Sequence, residues 1–301
     1  MTYAPITLFV YNRPWHTQQT IESLKQNQFA ADCDLLIYSD APKYHGAVLG
    51  VQEVRKYIHS VSGFRSVTVI ERDENYGLAK SIISGVSEVV AKYGRIIVLE
   101  DDMITSPHFL LYMNEALSFY QDVNKVISIH GYTYPVKMQL PETFFLRGAD
   151  CWGWATWKRG WDLFEHDGRK LLSELRSRKL TYKFDFDGTY LFTRILEGHL
   201  KGEIDSWAIR WYASAFLNDR LTLYPGRSLV QNIGIDESGT HCHATNEFET
   251  ELTHVPIRIE KLPLEENQTA RKAFKKFFRV LQPSIGKRAL KKIIRMMCGN
   301  K

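Results

Sequence analysis

Three consecutive carboxylates, Glu100-Asp101-Asp102, follow the apolar run Ile96-Ile97-Val98-Leu99. Acidic side chains this close repel one another unless something positive neutralises them. Mg²⁺ or Mn²⁺ can do so, taking one or two carboxylates, several waters and substrate phosphates as ligands. The triplet therefore suits a divalent cation shared with a diphosphate; the plainer alternative is a solvated acidic turn. Asp205, in Gly202-Glu203-Ile204-Asp205-Ser206-Trp207, precedes a helix-like run. There it is either a helix cap or a general base that takes a proton from an attacking hydroxyl, with Glu203 in reserve. The stretch Gly234 to His241 is small, polar and turn-rich. Ser238 and Gly239 suit a loop that closes over a diphosphate, and His241 could act as a second metal ligand or a phosphate donor. A zinc site at His241-Cys242-His243 is disfavoured, because alternate residues of a strand face opposite ways and no further ligand pair is evident. Six of seven tryptophans fall between Trp152 and Trp211. Trp152, Trp154 and Trp157 either stack on the C–H faces of a sugar or pack the core.

The elements needed to hold these residues are legible in the first 130 positions. Apolar runs at 6–11, 35–38, 67–70, 96–99 and 126–129 predict buried strands. Amphipathic stretches at 13–26, 48–59, 78–93 and 109–120 predict helices, the first with Pro14 in its opening turn. Short apolar strands alternating with helices imply a mostly parallel sheet covered on both faces. Ligands bind such sheets at the carboxyl ends of the strands. Asp40, Asn75 to Gly77 and the triplet all fall just past strands and should share one edge. Beyond about residue 131 the alternation breaks down. Residues 132–140 read as loop, 188–198 and 207–216 as helix, and 221–224 and 228–232 as short strands.

Five stretches, in this order, resemble GT-A-fold nucleotide-sugar glycosyltransferases. They are Val10-Tyr11-Asn12-Arg13-Pro14, Tyr38-Ser39-Asp40-Ala41-Pro42, Asn75 to Ile82 (NYGLAKSI), Val98 to Met103 (VLEDDM) and Cys151 to Trp161 (CWGWATWKRGW). The chain is similar in particular to bacterial relatives of N-acetylglucosaminyltransferase I and to family 2-like sugar transferases, over roughly residues 4–245. The resemblance implies a Rossmann-type α/β domain that moves a hexose or N-acetylhexosamine from a nucleotide donor to a saccharide with inversion. It implies Asp102 as ligand to Mn²⁺ or Mg²⁺, with Glu100 and Asp101 against the nucleotide and donor sugar. Arg13 and Asp40 would flank the base, probed on its donor and acceptor edges. Asn75, Gly77 and Lys80 complete the nucleotide side. Asp205 falls where related enzymes carry their base.

Composition is ordinary for a globular enzyme, 44% hydrophobic and 24% charged over 301 residues, but charge is uneven. Eleven Lys or Arg and no acidic residue lie between Arg271 and Lys301; with +5 overall, the first 270 residues carry −6. The tail repeats apolar residues at helical spacing, Phe274, Phe277, Phe278 and Leu281, then Leu290, Ile293, Ile294 and Met297. That pattern predicts basic amphipathic helices on an anionic membrane surface, with docking onto the body as the alternative. An acidic body disfavours nucleic acid. Four scattered cysteines and the absence of a signal peptide or an apolar run of membrane length point to the cytoplasmic face of the inner membrane.

The expected organisation is a nucleotide-sugar half over 1–130, an acceptor and base half over 131–262, and a membrane-associating tail over 263–301. The expected role is synthesis of a surface polysaccharide, capsule or lipopolysaccharide, on a saccharide or lipid-linked acceptor. Two rivals stand beside it. A sugar-phosphate nucleotidyltransferase would need a Gly-rich loop where Asn12-Arg13-Pro14 stands. A membrane-bound saccharide-binding module would have no use for the triplet.

Overall fold

The computed structural model describes residues 3–236 and 246–281. In chain order the elements are β1 (Ile6–Val10), α1 (Pro14–Lys25), β2 (Asp34–Ser39), α2 (Val48–Ile58), β3 (Ser66–Glu71), α3 (Gly77–Tyr93), β4 (Arg95–Glu100), β5 (Met103–Thr105) and α4 (Phe109–Phe119). There follow β6 (Val126–His130), β7 (Thr143–Arg147), β8 (Trp154–Trp157), α5 (Lys158–Trp161), α6 (Gly168–Ser177), α7 (Thr181–Phe184), α8 (Phe192–Leu200), α9 (Trp207–Leu217), β9 (Leu221–Pro225), β10 (Val230–Asn232) and α10 (Gln268–Leu281). Eight strands form one sheet in the order β3-β2-β1-β4-β8-β6-β9-β7, and β10 pairs with β5 outside it.

The period-two alternation of a strand sends successive side chains to opposite faces. Ile6, Leu8 and Val10 of β1 and Ile97 and Leu99 of β4 join Ile21, Leu24, Val54, Ile58 and Leu117, so α1, α2 and α4 cover one face. Phe9, Leu36, Tyr38, Ile96 and Val98 point the other way, against Ile82 and Val86 of α3 and Trp207 and Trp211 of α9. Helix α9 is apolar around most of its circumference because it also feeds a third cluster with α6, α8 and α10. The result is a mixed α/β architecture, a large central sheet flanked by helices.

Strands β3, β2, β1 and β4 pair in parallel. Strand β8 runs antiparallel to both β4 and β6, while β6 and β9 are parallel. The carboxyl ends of β1, β2, β3, β4, β6 and β9 therefore lie along one edge. The first four strands and the helices between them fall where the sequence places them.

The second half departs from expectation in three places. Residues 143–147 form a strand and 168–177 a helix, neither among the expected elements, although Leu171, Leu172 and Leu175 of the helix recur at helical spacing behind an Asp167 cap. The tryptophan-rich stretch supplies β8, in mid-sheet. The tail helix is also corrected: α10 turns its apolar side inward and not toward a membrane. Phe274 and Phe278 are each 1% exposed. They pack against Tyr134, Phe144, Tyr190 and Tyr224. Arg271 and Lys275 both pair with Asp187, which locks the helix in place. Lys272, Lys276 and Arg279 face outward. Leu290, Ile293, Ile294 and Met297 lie outside the described residues, among which no helix is long and apolar enough to cross a membrane.

Candidate active site

The chain leaves β4 at Glu100 and turns at Asp101-Asp102 into β5. The turn is pinned from two sides. From α1, the Thr20 hydroxyl donates to the Asp101 carbonyl (2.8 Å) and accepts from the Met103 N–H (3.0 Å). Beyond β10, the Ile233 N–H donates to the Asp102 carbonyl (2.9 Å). Gly234 then lies over the carboxylate so closely that a Cβ there would sit 2.0 Å from Asp102 Oδ2; any larger residue would push the strap off. Two residues on, Asp236 Oδ2 meets His16 Nε2 at 3.0 Å. Arg13, His16, Thr17 and Thr20 share one face of the opening turns of α1, at helical spacing.

Arg13 supplies the positive charge that the crowded triplet requires. Its Nη2 donates to Asp101 and, at 2.7 Å, to Asp102 Oδ2. Arg13, expected beside a nucleotide base, is here in direct contact with Asp101, 88 residues along the chain. Burial by itself would lower the Arg13 pKa, but the two aspartates outweigh it and hold the guanidinium charged. Asp101 and Asp102 are buried. Burial, with Asp102 opposing and Arg13 helping ionisation, leaves the Asp101 pKa raised. Glu100 is pushed up to about 8, first by burial and then by Asp102 and Asp101, against the pull of Arg13. Two atoms here are left over. Asp102 Oδ1 and Arg13 Nη1 are both buried with no hydrogen-bond partner. An orphan carboxylate oxygen beside an orphan guanidinium nitrogen is an arrangement suited to a cation and an anion together.

Because Glu100 keeps its proton in the fold up to about pH 8 and the unfolded chain releases it near the ordinary value, folding carries proton uptake between those limits. Its contribution to stability therefore falls as pH rises through that window. In metal-free protein Glu100→Gln is expected to remove this slope. The gain over the parent should be near zero at pH 4.5 and about 2 kcal/mol at pH 8, discounted for the partial exposure of Glu100. Urea unfolding across that range measures it, and parallel curves for the two proteins would reject the assignment.

The remaining expected residues divide. Asp40 is buried, and both its oxygens are spent on the protein itself. Oδ1 accepts from Ala41 N–H (3.0 Å) and Tyr76 N–H (2.8 Å); Oδ2 accepts from Asn75 Nδ2 (3.0 Å) and Gly77 N–H (2.8 Å). Asp40 and Asn75 thus tie the end of β2 to the start of α3, and the Asp40 carboxylate expected against a base is occupied by the protein itself. Gly77 serves the same knot, at φ 69°, where a side chain is strained. Lys80 is exposed, 3.6 Å from the Tyr76 ring centroid and 3.6 Å from Glu74. Arg72 covers the same tyrosine at 4.8 Å. Tyr76 and Arg72, overlooked in the sequence, flank the knot.

Asp205 does not cap α9. Ser206 does, accepting from the Ile209 N–H (3.3 Å), which corrects the capping alternative. The Asp205 carboxylate is 71% exposed, 3.3 Å from Arg210 and 3.7 Å from His199. Two residues on, Trp207 stacks on Trp154 (5.4 Å), and Trp154 pairs with Val98, two residues before Glu100. Glu203 is exposed, 4.0 Å from Lys201. Trp154 and Trp157 are corrected from sugar platforms to core: Trp154 is 1% exposed among Trp161, Trp207 and Trp211, and Trp157 donates to the Leu117 carbonyl. Trp152 keeps open surface, edge-on to Tyr132 and Phe248. Ser238, Gly239 and His241 lie outside the described residues.

Among the described residues no group of three or more His, Cys, Asp or Glu side chains gathers to hold a metal ion. The donor set at the tip of β4 fits an ion taking one or two carboxylates and drawing its other ligands from phosphate and water, with Asp102 Oδ1 as the unpartnered oxygen.

These features define an α/β protein with a carboxylate–guanidinium cluster at the carboxyl edge of its sheet. No protein-family model matches the chain, and no curated protein matches it. Among solved structures it is similar to the mannosyltransferase PcManGT from Pyrobaculum calidifontis in complex with GDP-Man and Mn²⁺, at 16% identity and TM-score 0.32, over 44% of this chain and 37% of that one. It is likewise similar to S. aureus TarS, at 15% identity and TM-score 0.32, over 48% of this chain and 24% of that one. The matched region spans well under half the length of either structure.

Proposed function

We propose that the chain is a metal-dependent, inverting glycosyltransferase that moves a hexose or N-acetylhexosamine from a nucleotide sugar, UDP-linked, to a saccharide acceptor. The observation that carries this reading is the pair of orphan atoms at the sheet edge, Asp102 Oδ1 and Arg13 Nη1. A nucleoside diphosphate with a divalent ion presents one positive and several negative partners, and so satisfies both atoms at once. The five family-like stretches support the same assignment. When bound, Mn²⁺ or Mg²⁺ would supply positive charge to the leaving diphosphate.

In this scheme Asp102 holds the ion and Arg13 turns its spare N–H groups to the diphosphate. Glu100 and Asp101 lie against the ribose and donor sugar. Asp205, free of capping duty and open to solvent, takes the proton from the acceptor hydroxyl as that oxygen attacks the anomeric carbon. Lys272, Lys276 and Arg279 on the outer side of α10 offer charge to an anionic bilayer. Attachment to the inner face of a bacterial membrane, with a lipid-linked acceptor for a surface polysaccharide, is part of the same proposal.

The test is a donor screen by release of UDP, GDP or dTDP, with and without Mn²⁺. Release from one class of donor, abolished by chelation and restored by metal, is expected. If no nucleotide sugar is bound or cleaved under any metal condition, the proposal is wrong.

A further inference from the structure

Between β7 and β8 the chain passes through Gly148-Ala149-Asp150-Cys151 and carries a carboxylate that the scheme above does not use. Asp150 Oδ1 accepts from the Cys151 N–H (2.9 Å) and Oδ2 from the Tyr134 hydroxyl (3.3 Å). Among the described residues it makes no ion pair, although it is only half-exposed. It sits inside a ring of phenols. Burial first, and the Asp150 charge second, raise the hydroxyls of Tyr132, Tyr134, Tyr190 and Tyr224 above their ordinary pKa. Two residues on, Trp152 presents a partly open ring.

The group also adjoins the acidic triplet. The Cys151 thiol is pushed well up by burial, then by the charges of Asp150, Glu100 and Asp102. Gly153 lies close to Leu99, with a Cβ there only 3.4 Å from Leu99 Cδ2. A half-buried carboxylate without a cationic partner costs free energy unless a ligand compensates it. Ionised, it can only accept hydrogen bonds. Aromatic side chains around it favour flat C–H surfaces. Sugars carry both hydroxyl donors and such surfaces.

We infer that Asp150, with Tyr134 and Trp152, forms a saccharide subsite that accepts hydroxyl hydrogen bonds from the acceptor. Its identity as the acceptor side rests on the transferase reading, whereas the sugar-binding surface itself does not.

Asp150→Asn preserves an oxygen for the Cys151 N–H, so the turn is kept while the charge is removed. The full chain and this variant are applied to an array of neutral, N-acetylated and amine-bearing oligosaccharides, with melting temperature recorded for each. The expected result is binding of neutral or N-acetylated glycans by the parent and at least a tenfold weaker Kd in Asp150→Asn at equal melting temperature. If the variant does not fold, Trp152→Leu takes its place with the same expectation. Equal binding by parent and variant, no glycan bound by the parent, or binding confined to amine-bearing glycans through simple charge each overturns the inference. UDP–Mn²⁺ affinity, read by calorimetry on the same proteins, separates the two proposals. Asp150-dependent glycan binding without nucleotide-sugar binding would remove the transferase and leave the subsite. Nucleotide-sugar binding with Asp150-independent glycans would do the reverse.

Discussion

Arg13→Met is expected to destabilise the metal-free protein by about 3 kcal/mol at pH 8, the cost of leaving buried carboxylates without their counter-charge. Methionine keeps the aliphatic stem, so lost packing contributes little. The guanidinium contacts both Asp101 and Asp102 and lowers the pKa of Glu100 and Asp101. Without it those groups retain protons to higher pH in the fold than in the unfolded chain. The deficit should therefore be small near pH 4.5 and grow as pH rises. Mn²⁺ ought to recover part of the loss, and to raise the melting temperature of the variant more than that of the parent, because the ion takes over the same neutralising role. Urea and thermal unfolding at pH 4.5 and 8, with and without Mn²⁺, measure both effects. A loss that is independent of pH would mean that Arg13 acts by packing alone.

Asp102→Asn is expected to lower kcat/KM by roughly 10³-fold or more, since a neutral amide holds the cation that balances the leaving diphosphate far more weakly than a carboxylate does. The replacement has nearly the same shape and leaves the backbone bonds of the turn from Ile233 and Thr20 in place. Stability should change little by comparison, because one charge leaves a site that holds three carboxylates. The sensitive readout is metal dependence. Titration of UDP against the parent should be strengthened by Mn²⁺, and the variant should bind UDP equally weakly with or without it. Metal-enhanced binding by the variant would place the ion elsewhere.

Where sequence and structure part company, the cause is distance along the chain. The triplet at the tip of β4 is readable because a buried strand and the turn after it are contiguous, and the same holds for Asp40 at the tip of β2. Partners are another matter. Arg13 reaches Asp101 across 88 positions, and no local pattern distinguishes that ion pair from a contact with a base. Four donors converge on Asp40, two of them on the backbone of residues 76 and 77, so a residue that looks like a ligand-binding acid is occupied by the protein itself. The segment Trp154 to Trp157 is short and holds two small residues; only its pairing with β4 and β6 makes it a strand. The 233–236 strap over Arg13 and Asp102 depends on β10 finding β5, a pairing across more than 120 residues.

By itself the amino-acid order determined the alternating strands and helices of the first half, their two apolar faces, and an acidic cluster at one strand end. These follow from periodicity and from neighbours a few residues apart. Tertiary structure decided which charges meet, which tryptophans are interior, and that the apolar side of α10 lies against Tyr134, Tyr190 and Tyr224. An amphipathic face specifies only that it must be covered. Whether a bilayer or the protein's own aromatic residues cover it depends on surfaces that exist only once distant segments have come together.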